Sequence, residues 1–247
     1  MTNLKDPNVE AREQELQKLF SNVPYETEMI VDLPSKGKFY PGFKGVKVIP
    51  LLFEDEQRIL MSRNKNINPV NEIISKCVDG VEVSDLLAMD KLYLLMKIKE
   101  ISYGPEYKFN ILCPACGANT ESSLTIDGIP VKRVTDEVQD PREIILPMLK
   151  TKALVRFPRT SDEQYFSTPE MSSNNLYRLV VSLNGNTDQV FIARALKKMH
   201  IRDIKTIEKE VNRKEFGINT TFEFECPTCN TKSTLGIPFD ANFFSVN

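Results

Sequence analysis

The chain has 247 residues, 41% of them hydrophobic and 27% charged, with 14 Phe, no Trp and a formal net charge of −2 at pH 7. That is the balance of a soluble globular protein with a sizeable core, in one large domain or two small ones. It excludes a global field drawing the chain to nucleic acid or an anionic membrane, and no stretch reaches the ~18 apolar residues of a membrane-spanning helix.

The start, Met-Thr-Asn-Leu-Lys-Asp, lacks the apolar run of a secretory signal, so a reducing cytosolic folding compartment is expected, where cysteines stay thiols. Residues 7–21 read as a charged helix whose apolar stripe is only Val9, Leu16, Leu19 and Phe20. It is either a frayed arm or a helix that docks on a partner. From Met29 to Gly42 the apolar start and Pro/Gly punctuation predict strand, loop, strand, with Val46–Pro50 as the return strand. In the loop, Pro34, Gly37, Pro41 and Gly42 fix a shape that presents Lys36, Lys38, Phe39 and Tyr40 as interface anchors. The competing reading has Phe39 and Tyr40 begin a buried strand.

Residues 54–63 and 68–78 read as helices separated by Asn66–Pro69, with Pro69 in a first turn. Glu54, Asp55 and Glu56, like Asp162 and Glu163, sit at expected helix starts, where carboxylates complement the dipole. Cys77, between Ile73-Ile74 and Val78, reads as a small buried hydrophobe. Residues 85–103 are helical and strongly apolar, the expected centre of the core. The second half begins near Ile129-Pro130, with an apolar run at Ile144–Leu149 and a strand over Ala153–Phe157. A Ser/Thr/Asn/Pro-rich stretch at 159–187 contains an expected helix at Leu176–Leu183 and a turn at Asn184–Asn186. Helices are expected over 188–199 and 203–216.

Four of the five cysteines lie in two C-x-x-C turns, Cys113-Pro-Ala-Cys116-Gly and Cys226-Pro-Thr-Cys229-Asn. Each has zinc-knuckle spacing, which points both thiolates at one metal. Joined, Cys113, Cys116, Cys226 and Cys229 make a closed four-thiolate site for one structural zinc per chain, tying two distant parts of the chain together. A shift of 113 positions aligns more than these turns. Asp90 falls on Asp203, Leu94 on Ile207, Ile98 on Val211, Tyr103-Gly104 on Phe216-Gly217, Phe109 on Phe222 and Asp127 on Asp240. Each copy reads as a helix N-capped by the Asp and ended by the Gly in a left-handed C-cap, then a strand, the knuckle and a second strand. Further back, Asp55-Glu56-Gln57 resembles Asp162-Glu163-Gln164 at a shift of 107. The expected fold is α+β: a duplicated helix–strand–knuckle module joined by a composite zinc ribbon. Its parts are an arm at 1–25, a first half at 26–128 and a second at 129–247.

No catalytic constellation is legible. The one histidine, His200, falls between two helices as a surface or cap residue, and no glycine-rich phosphate motif occurs. Around the knuckles Glu223 and Glu225 offset Lys232, and the basic stretch from Lys197 is interleaved with acids, against the clustered cations that phosphate binding needs.

The order Leu33-Pro-Ser-Lys-Gly-Lys-Phe-Tyr40, Pro50, Phe53-Glu-Asp-Glu56, Asp90-Lys-Leu-Tyr-Leu-Leu-Met-Lys97, Ser102-Tyr-Gly104 and Cys113-Pro-Ala-Cys116 resembles the baseplate hub family of T-even-like contractile-tailed bacteriophages, in motif detail over residues 29–120. The resemblance implies a late, non-enzymatic virion or virion-assembly protein. It would be assembled in the host cytoplasm, be carried in the tail baseplate if retained, and contact other hub proteins, the central spike and the tail tube, with no small-molecule substrate. Structural subunit and transient assembly factor both remain open. The alternative is a cytosolic zinc-ribbon regulator that binds nucleic acid or polymerase.

Overall fold

A computed structural model describes residues 7–21, 28–30, 32–62, 69–239 and 243. Helix α1 (Pro7–Phe20) matches the charged segment, and Leu16, Leu19 and Phe20 lie in solvent. Strands β1 (Glu28–Ile30) and β2 (Val46–Val48) pair antiparallel as strand and return strand. Helices α2 (Phe53–Ser62) and α3 (Pro69–Cys77) follow; most of the expected break between them lies outside the described residues. Strand β3 (Val78–Asp79) then joins β2, and Cys77 is buried beneath it.

Helix α4 (Ala88–Tyr103) is the central helix, burying Tyr93, Leu94, Leu95, Met96 and Ile98. Strands β4 (Glu106–Leu112) and β5 (Asn119–Thr125) form a hairpin, and β4 alternates strictly, with Tyr107, Phe109 and Ile111 inward. This period of two is what one packed sheet face requires.

Strand β6 (Val131–Lys132) leads to β7 (Arg142–Ile145) and β8 (Lys152–Val155). Helix α5 (Pro169–Asn175) precedes β9 (Val180–Leu183), which completes an antiparallel sheet ordered β7-β8-β9. Helices α6 (Gln189–Leu196) and α7 (Ile201–Val211) follow, then β10 (Gly217–Ile218), which pairs with β6, and the hairpin β11 (Thr221–Glu225) with β12 (Lys232–Gly236). The architecture is mixed helix and sheet, α+β. A three-stranded antiparallel sheet precedes each hairpin, with α4 between them in the first case and α6, α7 and β10 in the second. Among the described residues no helix is long and apolar enough to cross a membrane.

The helix expected at Leu176–Leu183 is instead a 3-10 turn over Leu176–Leu179 followed by β9. Val180 and Val181 favour a pleated surface, and β8 supplies the partner that decides between the two states. The helix expected to run to 216 stops at Val211, where the Asn212 side chain donates to the Glu208 carbonyl. Arg213 then stacks its guanidinium 3.9 Å from the Phe157 ring centre, and Glu215 pairs with Arg142 at 2.7 Å. Gly217 is therefore no C-cap. It lies in β10 at φ 118°, where a Cβ would come within 3.2 Å of Met89. Gly104 does cap α4, at φ 94°, but its ψ of 172° carries the chain straight on toward β4 rather than through a left-handed turn.

Asp90 and Asp203 are not N-caps either. The caps are Leu87 and His200, and each Asp sits fully buried in the first turn. Asp90 accepts from the Ser35 amide (3.0 Å) and the Tyr40 hydroxyl (2.6 Å); Asp203 accepts from the amides of Met148 (2.8 Å) and Leu149 (3.2 Å). His200 caps α7 through Nδ1, which accepts the Arg202 amide.

The Leu33–Tyr40 loop is no exposed anchor and begins no strand. Tyr40 is buried in a turn, its oxygen also accepting from the Leu87 amide at 3.0 Å. Phe39 is half-buried and packs on Phe157 and Phe216 at 6.0 and 5.8 Å between centroids. This aromatic cluster joins the halves, as do Lys91 with Glu163 (2.5 Å) and the Thr160 amide on the Leu86 carbonyl (2.8 Å). One core takes Leu33, Leu94 and Ile98 together with Phe157, Phe216 and Phe224, while a second lies under β8 and β9 with Leu146, Ile192 and Ile207.

The acidic clusters serve the fold. Asp55 accepts from the Leu52 amide and pairs with Lys76. Burial alone would raise the Asp162 carboxyl, but the two-point Arg156 bonds (2.7 and 2.8 Å) and the Arg159 amide hold it below the usual carboxylate range. With a folded pKa under the unfolded value of about 3.9, its contribution to stability is present above about pH 4 and is lost as pH falls through the lower folded value. Between pH 7 and pH 3 the urea midpoint of Asp162→Asn should therefore fall less than that of the wild type. Parallel curves would remove Asp162 from this role.

Candidate metal centre

The four knuckle cysteines meet because the two hairpins face each other. Phe109 of β4 packs edge-on against Phe222 of β11, with centroids 5.5 Å apart at 80°. Beyond them both hairpins end in the same turn. The Cys113 amide donates to the Ala118 carbonyl and the Gly117 amide to the Cys113 carbonyl, both at 2.9 Å. In the second hairpin the Cys226 amide donates to the Thr231 carbonyl (3.0 Å) and the Asn230 amide to the Cys226 carbonyl (2.8 Å). The residue after each second cysteine, Gly117 or Asn230, takes positive φ, 72° and 55°. Glycine and asparagine are the residues that enter this region at least cost.

The turns bring all four sulfurs within 4.8 Å of one another. Cys113 Sγ lies 3.8 Å from Cys229 Sγ, and Cys116 Sγ lies 3.7 Å from Cys226 Sγ. These spacings are far beyond a disulfide bond of about 2.05 Å. They agree with a tetrahedron of thiolates around zinc, where bonds of about 2.3 Å set neighbouring sulfurs about 3.8 Å apart. Cys113 and Cys226 are buried and Cys116 and Cys229 exposed, so the cluster is closed on one side by the hairpins.

The environment shifts two of these thiols in opposite directions. The Thr231 side chain, its Oγ1 3.3 Å from the sulfur, and the Thr231 amide bring Cys229 down to about 6. The Ala118 amide also pulls Cys116 down, yet hydrogen bonding with Cys229 and burial push it up to about 12. Four thiolates this close repel, and a bound divalent ion would let all of them ionise. Cys77 takes no part: its thiol is buried at the end of α3 and raised to about 12 by that burial.

Thr231 and the Phe109–Phe222 contact were not singled out from the sequence as parts of this centre. The sequence signal for the first is a hydroxyl two residues past the last cysteine. For the second it is the alignment of the two rings at the 113-residue shift.

The family model described as "T4 bacteriophage base plate protein" matches residues 25–245. No curated protein and no solved structure matches the chain.

Proposed function

The chain belongs to the T4 bacteriophage base plate protein family, and we propose that it is a non-enzymatic component of the baseplate hub or its assembly pathway, acting through protein–protein contacts. The family match over nearly the whole chain carries this reading. Its partners would be other hub proteins, the central spike and the tail tube. It would assemble in the host cytoplasm and stay in the virion tail if it is a structural subunit. The exposed face of the second hairpin supports protein over nucleic-acid contacts, since Glu223 and Glu225 outnumber Lys232, which itself lies 3.5 Å from Glu225.

In this reading Cys113, Cys116, Cys226 and Cys229 hold one structural zinc. Residues 26–128 and 129–247 are two copies of one module, preceded by the arm at 1–25. Three observations support the duplication. In each half a three-stranded antiparallel sheet precedes a helix and a hairpin, and α4 and α7 start 113 positions apart. Asp90 and Asp203 each take an amide of the turn before them, from Ser35 and Met148, which are also 113 apart. Finally, the contacts between hairpins cross as a twofold relation demands: Phe109 meets its own counterpart Phe222, and the first cysteine of each knuckle lies beside the second of the other.

Arm α1 lies outside the matched residues and presents Leu16, Leu19 and Phe20 to solvent, a stripe suited to a partner groove. Deleting residues 1–22 should leave a folded, zinc-loaded chain that no longer joins its baseplate neighbours, read by co-sedimentation with assembly intermediates from infected cells. Normal incorporation of the truncated chain would clear the arm of this role. Absence of the intact chain from every intermediate and every tail would overturn the hub reading itself.

A further inference from the structure

The two halves treat one surface differently. In the first, the turn Leu33–Lys36 docks on Asp90 and is then covered by the segment after β6. The Val134 amide donates to the Pro34 carbonyl at 2.8 Å, Val134 is buried, and the Lys38 ammonium takes the carbonyls of Asp136 and Val138 at 2.7 and 2.8 Å. Under this cover Ser35 is fully buried. In the second half the turn Leu146–Leu149 also docks on Asp203, yet Met148, at the position of buried Ser35, remains 45% exposed; Leu149 is 52% exposed, as Lys36 is exposed at its position in the first half. Beside them Ile145 is 65% exposed and Ile201, which opens α7, is 61% exposed. Two cations accompany the patch, Lys150 in the next position and Arg202, whose Nη1 lies 3.7 Å from Met148 Sδ. Among the described residues neither is in an ion pair.

Large apolar side chains gathered on a surface are costly to leave in water and mark a contact surface. We infer that the patch of Ile145, Met148, Leu149 and Ile201 is a docking site for a short non-helical segment of another baseplate protein, carrying a β-branched apolar side chain next to carboxylates. The apolar part of the occupant is read from the cover over Ser35 in the first half, and its acids from Lys150 and Arg202 themselves, whose positions are held there by Gly37 and Met89. There Val134 fills the position over the turn, and exposed Asp136 and Glu137 follow it. A like segment on the second half would set its apolar side chain on Met148 and Leu149 and its acids toward Lys150 and Arg202. Such charge complementarity selects and orients a partner. The inference rests on the baseplate role proposed above.

Leu149→Asp places a like-signed repulsion where the partner's acids would lie, on a half-exposed side chain, and keeps the backbone amide that docks on Asp203. In infected cells this variant should keep its zinc and its melting temperature, while its recovery in baseplate intermediates falls at least tenfold. Phe191→Asp, at an exposed apolar position of α6 that is not one of the patch residues, should be recovered as the wild type is. Leu149→p-benzoylphenylalanine should, on irradiation, cross-link to a segment of a different baseplate protein that carries acids beside Val, Ile or Thr. Wild-type recovery of Leu149→Asp overturns the inference and leaves the hub role standing. So does an adduct between two copies of this chain, or one with a basic or helical segment. Failure of the wild-type chain itself to associate with any baseplate protein overturns both.

Discussion

Cys226→Ser is expected to abolish zinc binding, from about one ion per chain in the wild type to none, and to separate the two hairpins. Removing one of four thiolates leaves three sulfurs, two of them exposed, around a centre that no longer closes. Structural zinc contributes roughly 10–16 kcal/mol of apparent binding free energy in small zinc-finger peptides, which do not fold without it. This chain differs because Leu94, Ile98, Phe157 and Phe216 belong to a large apolar core in which Cys113 and Cys226 are only two of many buried residues. Chelation should therefore loosen β4, β5, β11 and β12 while most helical circular dichroism survives. Elemental analysis giving no zinc, or two ions per wild-type chain, would overturn the shared site. Loss of all helical signal on chelation would contradict the survival of that core.

Asp90→Ala is expected to be among the most destabilising single changes in the chain. It strips the acceptor from two buried donors, the Ser35 amide and the Tyr40 hydroxyl. At about 1–3 kcal/mol for each unmet buried group, the loss is about 2–6 kcal/mol. Tyr40→Phe should cost less, about 1–3 kcal/mol, because the Leu87 amide loses its acceptor and Asp90 only one donor. The double variant should cost less than the two together, since they remove one network. Asp203→Ala is the comparison. Its donors, Met148 and Leu149, lie on an exposed turn where water can replace the carboxylate, so its urea midpoint should fall less than that of Asp90→Ala. Equal losses would mean that solvent access at the turn does not matter.

The pH dependence has the opposite sign to that of Asp162. Burial holds Asp90 above the usual carboxylate range despite the Ser35 and Tyr40 hydrogen bonds. The native state then binds that proton better than the unfolded chain does. This group's contribution falls as pH rises from its unfolded to its folded pKa.

The cysteine turns, the strand that leads into each of them, the α4 core run and the bounds of α2 and α3 were legible in the amino-acid sequence. Each depends on residues a few positions apart, through side-chain periodicity or turn chemistry. The α+β class followed from them, and the 113-residue shift already aligned Phe109 with Phe222 and Asp90 with Asp203. What the tertiary structure alone decided is which distant groups meet. Leu176–Leu183 has an apolar pattern that serves a short helix or a strand, and β8 settles the matter by pairing with Val180 and Leu183. Asp90 and Asp203 stand at helix starts, where capping the local amides would satisfy them, but turns more than fifty residues upstream bring amides and a hydroxyl that must be met once buried. Tyr40 carries the signature of an exposed anchor and is buried because Asp90 and Leu87 accept and supply its hydrogen bonds. The four cysteines announced their turns locally, yet their closure to within 4.8 Å depends on two hairpins packing face to face, a long-range apolar contact that no local pattern encodes.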